Sequence, residues 1–292
     1  DLSENGSFAP ADDFITTVVN GNTALSAGDD DFVTVNNIKQ RKDRLTEDNL
    51  IFSSSFSYVK NRREDLFDKN FSIVKLRLKL AGNLLSNLSG VLGLNKNQDV
   101  KYEVFGVPYS QFVKAEIDYV KHWDLGRKNE FAIRSYLGIA IPYGNSDNIP
   151  FAESFFAGGP NDIRAWTAFN LGPGSSLTTN EFNEANLKLT LSAEQRFNLL
   201  GRINGAVFVD AGNIWNVFDN VEDDAATFNG IESLKNIAVG SGFGLRYDFS
   251  FFVLRGDIGF KTYDPSRSLG NRWFKDYNFS NAVYNIGVNY PF

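Results

Sequence analysis

Along most of its length the chain alternates apolar and polar residues with a period of two. The last eleven residues, AVYNIGVNYPF, set Ala282, Tyr284, Ile286, Val288, Tyr290 and Phe292 against Val283, Asn285, Gly287, Asn289 and Pro291. That rhythm predicts a strand with one apolar face, and its length suits a tilted strand crossing a bilayer in about 9–11 residues. SIVKLRLKLAGN repeats it, with Val74, Leu76, Leu78 and Leu80 opposite Lys75, Arg77 and Lys79. In NLKLTLSAEQRF, Leu187, Leu189, Leu191 and Ala193 oppose Lys188, Thr190, Ser192, Glu194 and Arg196. FVKAEIDYVKH, FAIRSYLGIAI, INGAVFVDAGNIW, NIAVGSGFGLRYDF, FFVLRGDIGFK and, less regularly, LIFSSSFSYVK bring the predicted strands to nine. The first fifty residues, rich in Asp, Asn and Thr, hold two weaker candidates, FITTVV and FVTV.

Connections near residues 61–70, 124–129, 198–201 and 249–251 are short, whereas those near 82–110, 142–185, 214–236 and 263–281 are long and polar. Strict alternation of short and long is expected of an up-and-down barrel in an outer membrane, with turns on the periplasmic side and long loops outside. Soluble sandwiches also alternate residues, but they mix hairpins with Greek-key crossings and seldom keep strands this long. The expected fold class is all-β, a transmembrane antiparallel up-and-down β-barrel, with the C-terminus periplasmic and the long loops extracellular. Nine strands are odd in number and lipid tolerates no open edge, so residues 50–292 read as the C-terminal part of a larger barrel. Residues 1–49 read as an extracellular loop with poorly defined strands.

Composition narrows the chemistry. A net charge of −6 argues against a nucleic-acid partner, which needs a clustered basic face. The chain has no Cys and a single His, His122, which excludes disulfides and thiolate sites and leaves too few ligands for the usual zinc centre. No metal and no cofactor are expected. No run reaches the roughly 18–20 apolar residues of a membrane helix. Mean hydropathy is −0.25, a value that a membrane barrel shares because each strand has one lumenal face. Aromatic residues make up 14% of the chain, consistent with belts at membrane interfaces. The chain opens at Asp1 without Met or a charged-then-apolar leader, as expected after removal of a signal peptide or within a longer protein. His122 shares a strand face with Asp118 but lies about 13 Å from it, so it reads as a lumenal or interface residue and the chain as a non-enzyme.

Four motifs then carry a family resemblance: FFAGGPNDIRAW (Phe155–Trp166) ahead of Gly172-Pro173, Glu194 in the next strand, VFVDAGNIW with Asp210, and GSGFGLRYD followed by LRGDIGF and a strand ending in Phe. In that order they resemble the BamA/TamA family of outer-membrane assembly and translocation barrels, leaning toward the TamA or TamL-like branch. The resemblance runs from about residue 50 to the end and implies a complete barrel of about 16 strands. It also implies that loop 142–185 folds inward. There Arg164 pairs with Glu194 and Asp210, while Gly158, Gly159, Ile163 and Trp166 shape the loop. Strand phase points the same way, because Glu194 and Asp210 both fall on polar faces. Arg suits the role through its planar, bidentate fork. Ala165 stands where the family usually has Gly, and its methyl limits how closely the loop can approach the wall. Gly240, Gly242 and Gly244 share one face, leaving space for a packed loop or letting the strand bend.

By resemblance, such proteins insert other β-barrels, or move substrates across or into the outer membrane, without ATP. They act through a weak seam between the first and last strands. Here Tyr284, Ile286, Gly287, Val288, Tyr290 and Phe292 would form one side of it, with Gly287 weakening pairing and Phe292 as the terminal aromatic. The implied partners are outer-membrane lipid, client β-barrel or secreted proteins, and periplasmic or membrane accessory subunits. Two alternatives stand beside this. One is a passive channel or uptake pore whose selectivity is set by Lys75, Arg77 and Lys79. The other is a surface-display or adhesion module using the acidic stretch Asp29–Asp31.

Overall fold

The computed structural model describes residues 47–65, 68–98, 100–176, 183–221, 223–249 and 252–288. The chain divides into Asp1–Asp48 and Asn49–Phe292, and every element below belongs to the second unit. The candidate strands FITTVV and FVTV lie outside the described residues, as do Tyr290 and Phe292.

All nine expected strands are present: β1 (Ser53–Asn61), β2 (Ser72–Ala81), β5 (Phe112–Gly126), β6 (Asn129–Pro142), β7 (Leu187–Leu200), β8 (Ile203–Trp215), β9 (Ala238–Asp248), β10 (Val253–Tyr263) and β11 (Val283–Val288). A helix α1 (Asn83–Leu92) and a small hairpin, β3 (Glu103–Val104) with β4 (Val107–Pro108), interrupt the connection between β2 and β5. The nine strands form one sheet in chain order, each antiparallel to its neighbours in sequence. β1 and β11 are its two edges, with no outer neighbour among the described residues.

The two faces of the sheet reverse the arrangement of a soluble protein. Leu191, Val207, Val209, Phe243, Leu245, Tyr284 and Ile286 are exposed on the outside, whereas Glu194, Asp210, Arg246, Arg255 and Asp257 are buried inside. The apolar core lies between the inner wall and the connection that precedes β7. Ile163, Ala165, Trp166 and Leu171 of that connection pack with Phe112, Ile214 and Ala238 of the strands.

Two local features depart from the expected pattern. α1 sits in a stretch read only as polar loop, yet Leu84, Leu88, Val91 and Leu92 recur at helical spacing and Gly93 ends the helix in the left-handed region at φ 61°. β5 and β6 also run further than expected, to a two-residue turn. Arg127 (φ 51°) and Lys128 (φ 62°) both take positive φ there, as a type I′ hairpin demands, without the Asn-Gly that would have announced it.

Candidate functional site

The connection between β6 and β7 turns back on itself before meeting the wall. Gly158 (φ 95°) and Gly159 (φ 104°) make the bend in a region that disfavours side chains. A Cβ on Gly158 would lie 2.2 Å from the Thr167 carbonyl oxygen. The Gly159 N–H donates to the Trp166 carbonyl at 2.7 Å, and the Gly158 N–H to the Asp162 carboxylate at 2.9 Å. Lys188 of β7 holds the same carboxylate at 3.0 Å and the Phe156 carbonyl at 2.7 Å. The bend presents Arg164 to the inner face of the sheet, flanked by the buried side chains of Ile163 and Trp166.

Arg164 is almost fully buried and its donors are matched to fixed acceptors. Nε and Nη2 meet the two oxygens of Asp210, each at 2.8 Å, and Nη1 meets Glu194 at 2.5 Å. The Arg164 backbone N–H also donates to Asp210, at 3.1 Å. The guanidinium carbon lies 3.4 Å from the centroid of the Phe208 ring, a cation–π contact strengthened by the burial of both groups. Burial alone would pull the guanidinium's pKa down. Asp210 and Glu194 outweigh it and hold the group above its ordinary value.

The pair belongs to a longer chain of ion pairs. Glu194 also accepts from Arg196 at 2.7 Å and Arg246 at 3.1 Å. Arg246 bonds Asp257 at 2.5 Å, and Arg255 lies 3.8 Å from the same carboxylate. Arg255 reaches back to the loop, donating to the Pro160 carbonyl at 2.9 Å and to the Asn161 side chain. At the other end Arg196 bonds Glu130 at 3.1 Å, and Glu130 pairs with His122, which stacks on Phe71 with 4.4 Å between ring centroids. His122, read from sequence as a lumenal or interface polar residue, is thus buried against Glu130. Four arginines and four carboxylates balance one another over β6 to β10 and the loop. A buried ionic cluster needs that balance, since an unpartnered buried charge costs far more than a paired one.

Glycines on the wall make room for the loop. A Cβ on Gly240 would sit 2.6 Å from the Ala165 Cβ, and one on Gly259 would sit 2.5 Å from the Arg164 carbonyl oxygen. The Ala165 methyl therefore does not hold the loop away from the wall, because β9 lacks a side chain where the methyl arrives. The terminal strand joins the site through a residue not singled out from sequence. Asn285, buried on the inner face of β11, donates to the Arg164 carbonyl at 2.9 Å. Tyr284, Ile286 and Val288 point outward and are exposed, while Gly287 faces inward and leaves room for Arg255. Arg246, Arg255, Asp257 and Asn285 were legible as inner-face positions by strand phase, but not as partners of the loop.

The cations suggested for a channel lining are partnered. Lys75 lies 3.9 Å from Asp118, Arg77 3.3 Å from Glu116 and Lys79 2.5 Å from Glu153. Among the described residues, no group of three or more His, Asp or Glu is arranged to hold a metal ion.

A meandering antiparallel sheet with an apolar outside and a charged, loop-filled inside is the wall of a transmembrane β-barrel. Residues 12–275 match the Omp85 superfamily domain, a span that begins well before the residue 50 suggested by the motifs. The chain belongs to the Omp85 superfamily. The outer membrane protein assembly factor BamA of Neisseria meningitidis serogroup B is 34% identical over 89 residues, which is 27% of this chain and 11% of that protein. The crystal structure of BamA from Haemophilus ducreyi lacking POTRA domains 1–3 superposes with a TM-score of 0.54 at 14% identity, covering 81% of this chain and 41% of that one. CdiB from Acinetobacter baumannii gives 0.44 at 12% identity, over 82% of this chain and 32% of its own. The chain spans less than half the length of each of these relatives.

Proposed function

We propose that the chain is the C-terminal part of a barrel of about 16 strands that assembles or translocates other proteins at the bacterial outer membrane. In this reading it acts without ATP, through a lateral seam beside β11, with the C-terminus periplasmic and the long loops extracellular. Its partners are outer-membrane lipid, client β-barrel or secreted chains, and accessory subunits. Superfamily membership and the name of the assembly-factor relative support the class of activity. The observation that carries the mechanism is the bond from Asn285 to the Arg164 carbonyl, because it ties the loop to the terminal strand.

The physical logic concerns edges. An unpaired backbone group in lipid costs several kcal/mol, so a sheet edge that opens there is a strong template for a client strand. A loop locked to the wall by Arg164, Glu194 and Asp210 and bonded to β11 would hold that edge in one arrangement. The paired state of Lys75, Arg77 and Lys79 and the loop inside the sheet weigh against a passive pore.

Charge reversal tests the proposal in the full-length parent protein. Arg164→Glu should lower outer-membrane protein levels, and adding Asp210→Arg or Glu194→Arg should restore them in part. Normal levels in the Arg164→Glu strain would remove the lock from the mechanism, and open-channel conductance from the unaltered protein would favour the pore.

A further inference from the structure

The outer face of β6 to β8 carries a cavity of about 460 Å³, separate from the charged site. Its floor is lipid-side strand surface: Leu137 pairs in register with Leu189, and Ile139 with Leu187, which in turn neighbours Trp215. The wall comes from the connection 216–237, with Phe228 edge-on to the Trp215 indole at 5.6 Å between centroids. We infer that this cavity binds one acyl chain of a membrane phospholipid.

The cavity is built, not a chance gap in a mobile loop. Asn186 grips the base of the connection, donating to the Val217 carbonyl at 2.6 Å and accepting from the Val217 N–H at 2.7 Å. Asn213 grips its far end, donating to the Asn236 carbonyl at 2.6 Å. Strand-like bonds from Asn216 to Ala226 and from Phe228 to Asn216 brace the middle. Phe218 is held at the rim with φ 53° and is 75% exposed. A positive φ is a strained conformation for a bulky residue, retained where the surrounding structure holds it.

The surroundings decide the occupant. Leu137 and Leu189 belong to the same outward face as the exposed Leu191 and Val207, so the mouth is continuous with the surface that meets lipid. The volume lies within the roughly 300–1,000 Å³ of small-molecule sites, which are apolar with a few placed polar groups. Here Thr227 spends its hydroxyl on the Asp223 carbonyl at 2.9 Å. An apolar slot with strand surface for a floor and a mouth on the lipid-facing side matches a hydrocarbon chain.

The inference rests on the reading that the outer face meets lipid, and the test separates the two. The full-length parent protein is reconstituted in vesicles of phosphatidylcholine and phosphatidylglycerol and extracted into detergent. Native mass spectrometry then counts the phospholipid carried through. One phospholipid per chain is expected. The double variant Leu137→Phe/Leu189→Phe, which fills the floor, and Phe218→Ser, which changes only an exposed rim residue, should each reduce retention about tenfold. Equal retention in all three overturns the inference, as does occupation by detergent, which would mark an adventitious additive only. In parallel, the emission that Leu191→Trp adds to that of the unaltered protein, whose own tryptophans number four in this chain, reads the wall itself in vesicles of brominated phospholipid. Quenching there without a retained lipid sinks the pocket alone, and no quenching sinks the membrane reading.

Discussion

Replacing Arg164 by Ala removes the one cation paired with Asp210 among the described residues. Glu194 keeps Arg196 and Arg246, so it stays neutralised, whereas Asp210 retains, among the described residues, only the backbone N–H of residue 164. Breaking a buried pair by deleting one partner costs about 3–5 kcal/mol. If that cost falls on the seated loop, the balance shifts roughly 10²- to 10⁴-fold toward the released loop. This stretch has no cysteine, which makes the shift measurable. Ala157 is fully buried in the loop, so Ala157→Cys in the full-length parent, with any cysteine outside this stretch changed to Ser, carries a single thiol whose rate of maleimide labelling in reconstituted vesicles reports how often the loop is released. Adding Arg164→Ala to that variant should speed labelling by the same factor. Arg164→Ala with Asp210→Asn should recover part of the protection, because no orphan carboxylate remains. A labelling rate within about twofold of the parent, a difference under roughly 0.5 kcal/mol, would refute the assignment of Arg164 as the residue that seats the loop.

Three other outcomes follow from the same geometry. Gly259→Ala drives a methyl into the Arg164 carbonyl, which is backbone and cannot yield, whereas Gly287→Ala meets only the Arg255 side chain at 2.7 Å; in the Ala157→Cys background the first should expose the thiol to maleimide and the second should leave it protected. Asn285→Ala leaves the ion pairs intact but frees β11 from the loop, so disulfide trapping between cysteines placed on β10 and β11 should become slower while loop labelling changes little; unchanged trapping would mean that the bond does not hold the edge. In the connection between β1 and β2, the Asn70 and Glu64 backbone N–H groups hold the exposed Asp68 carboxyl below its ordinary pKa. Its folded value is depressed, so its support is complete above the ordinary carboxylate range and lost as the pH falls through the lowered value. Amide exchange at Asn70 should accelerate across that acidic window in the parent and not in Asp68→Asn.

The strands were legible because two solvents act on each of them. Lipid outside and charge inside force a period of two, and Leu187 to Arg196 announces β7 without any help from its neighbours. The same assumption hid part of the interior. Phe112, Ile214 and Ala238 lie on the inner face, where alternation alone assigns no apolar partner, and Ile163 and Trp166 of the loop cover them. α1 was missed because its apolar stripe of Leu84, Leu88 and Leu92 is interleaved with Asn and Ser and sits within a long connection. At Ala165 the family comparison anticipated a looser fit, and the compensation sits far along the chain at Gly240. Strand phase names a face, but it does not name which residues on opposite elements meet. Asn285 was therefore visible as an inward polar residue and invisible as the partner of Arg164.

The order of these residues along the chain has a consequence for how the molecule is made. Arg164 is synthesised before every carboxylate that holds it, and its bond to Asn285 spans 121 residues. Contacts of such long range form late, after the intervening segments have been brought together. A half-finished sheet that lacks β8 presents Arg164 without Asp210, and one that lacks β10 leaves Arg246 without Asp257. The seated loop is thus bonded to segments that all follow it in the chain, and its full set of bonds exists only when β7, β8 and β11 are in place.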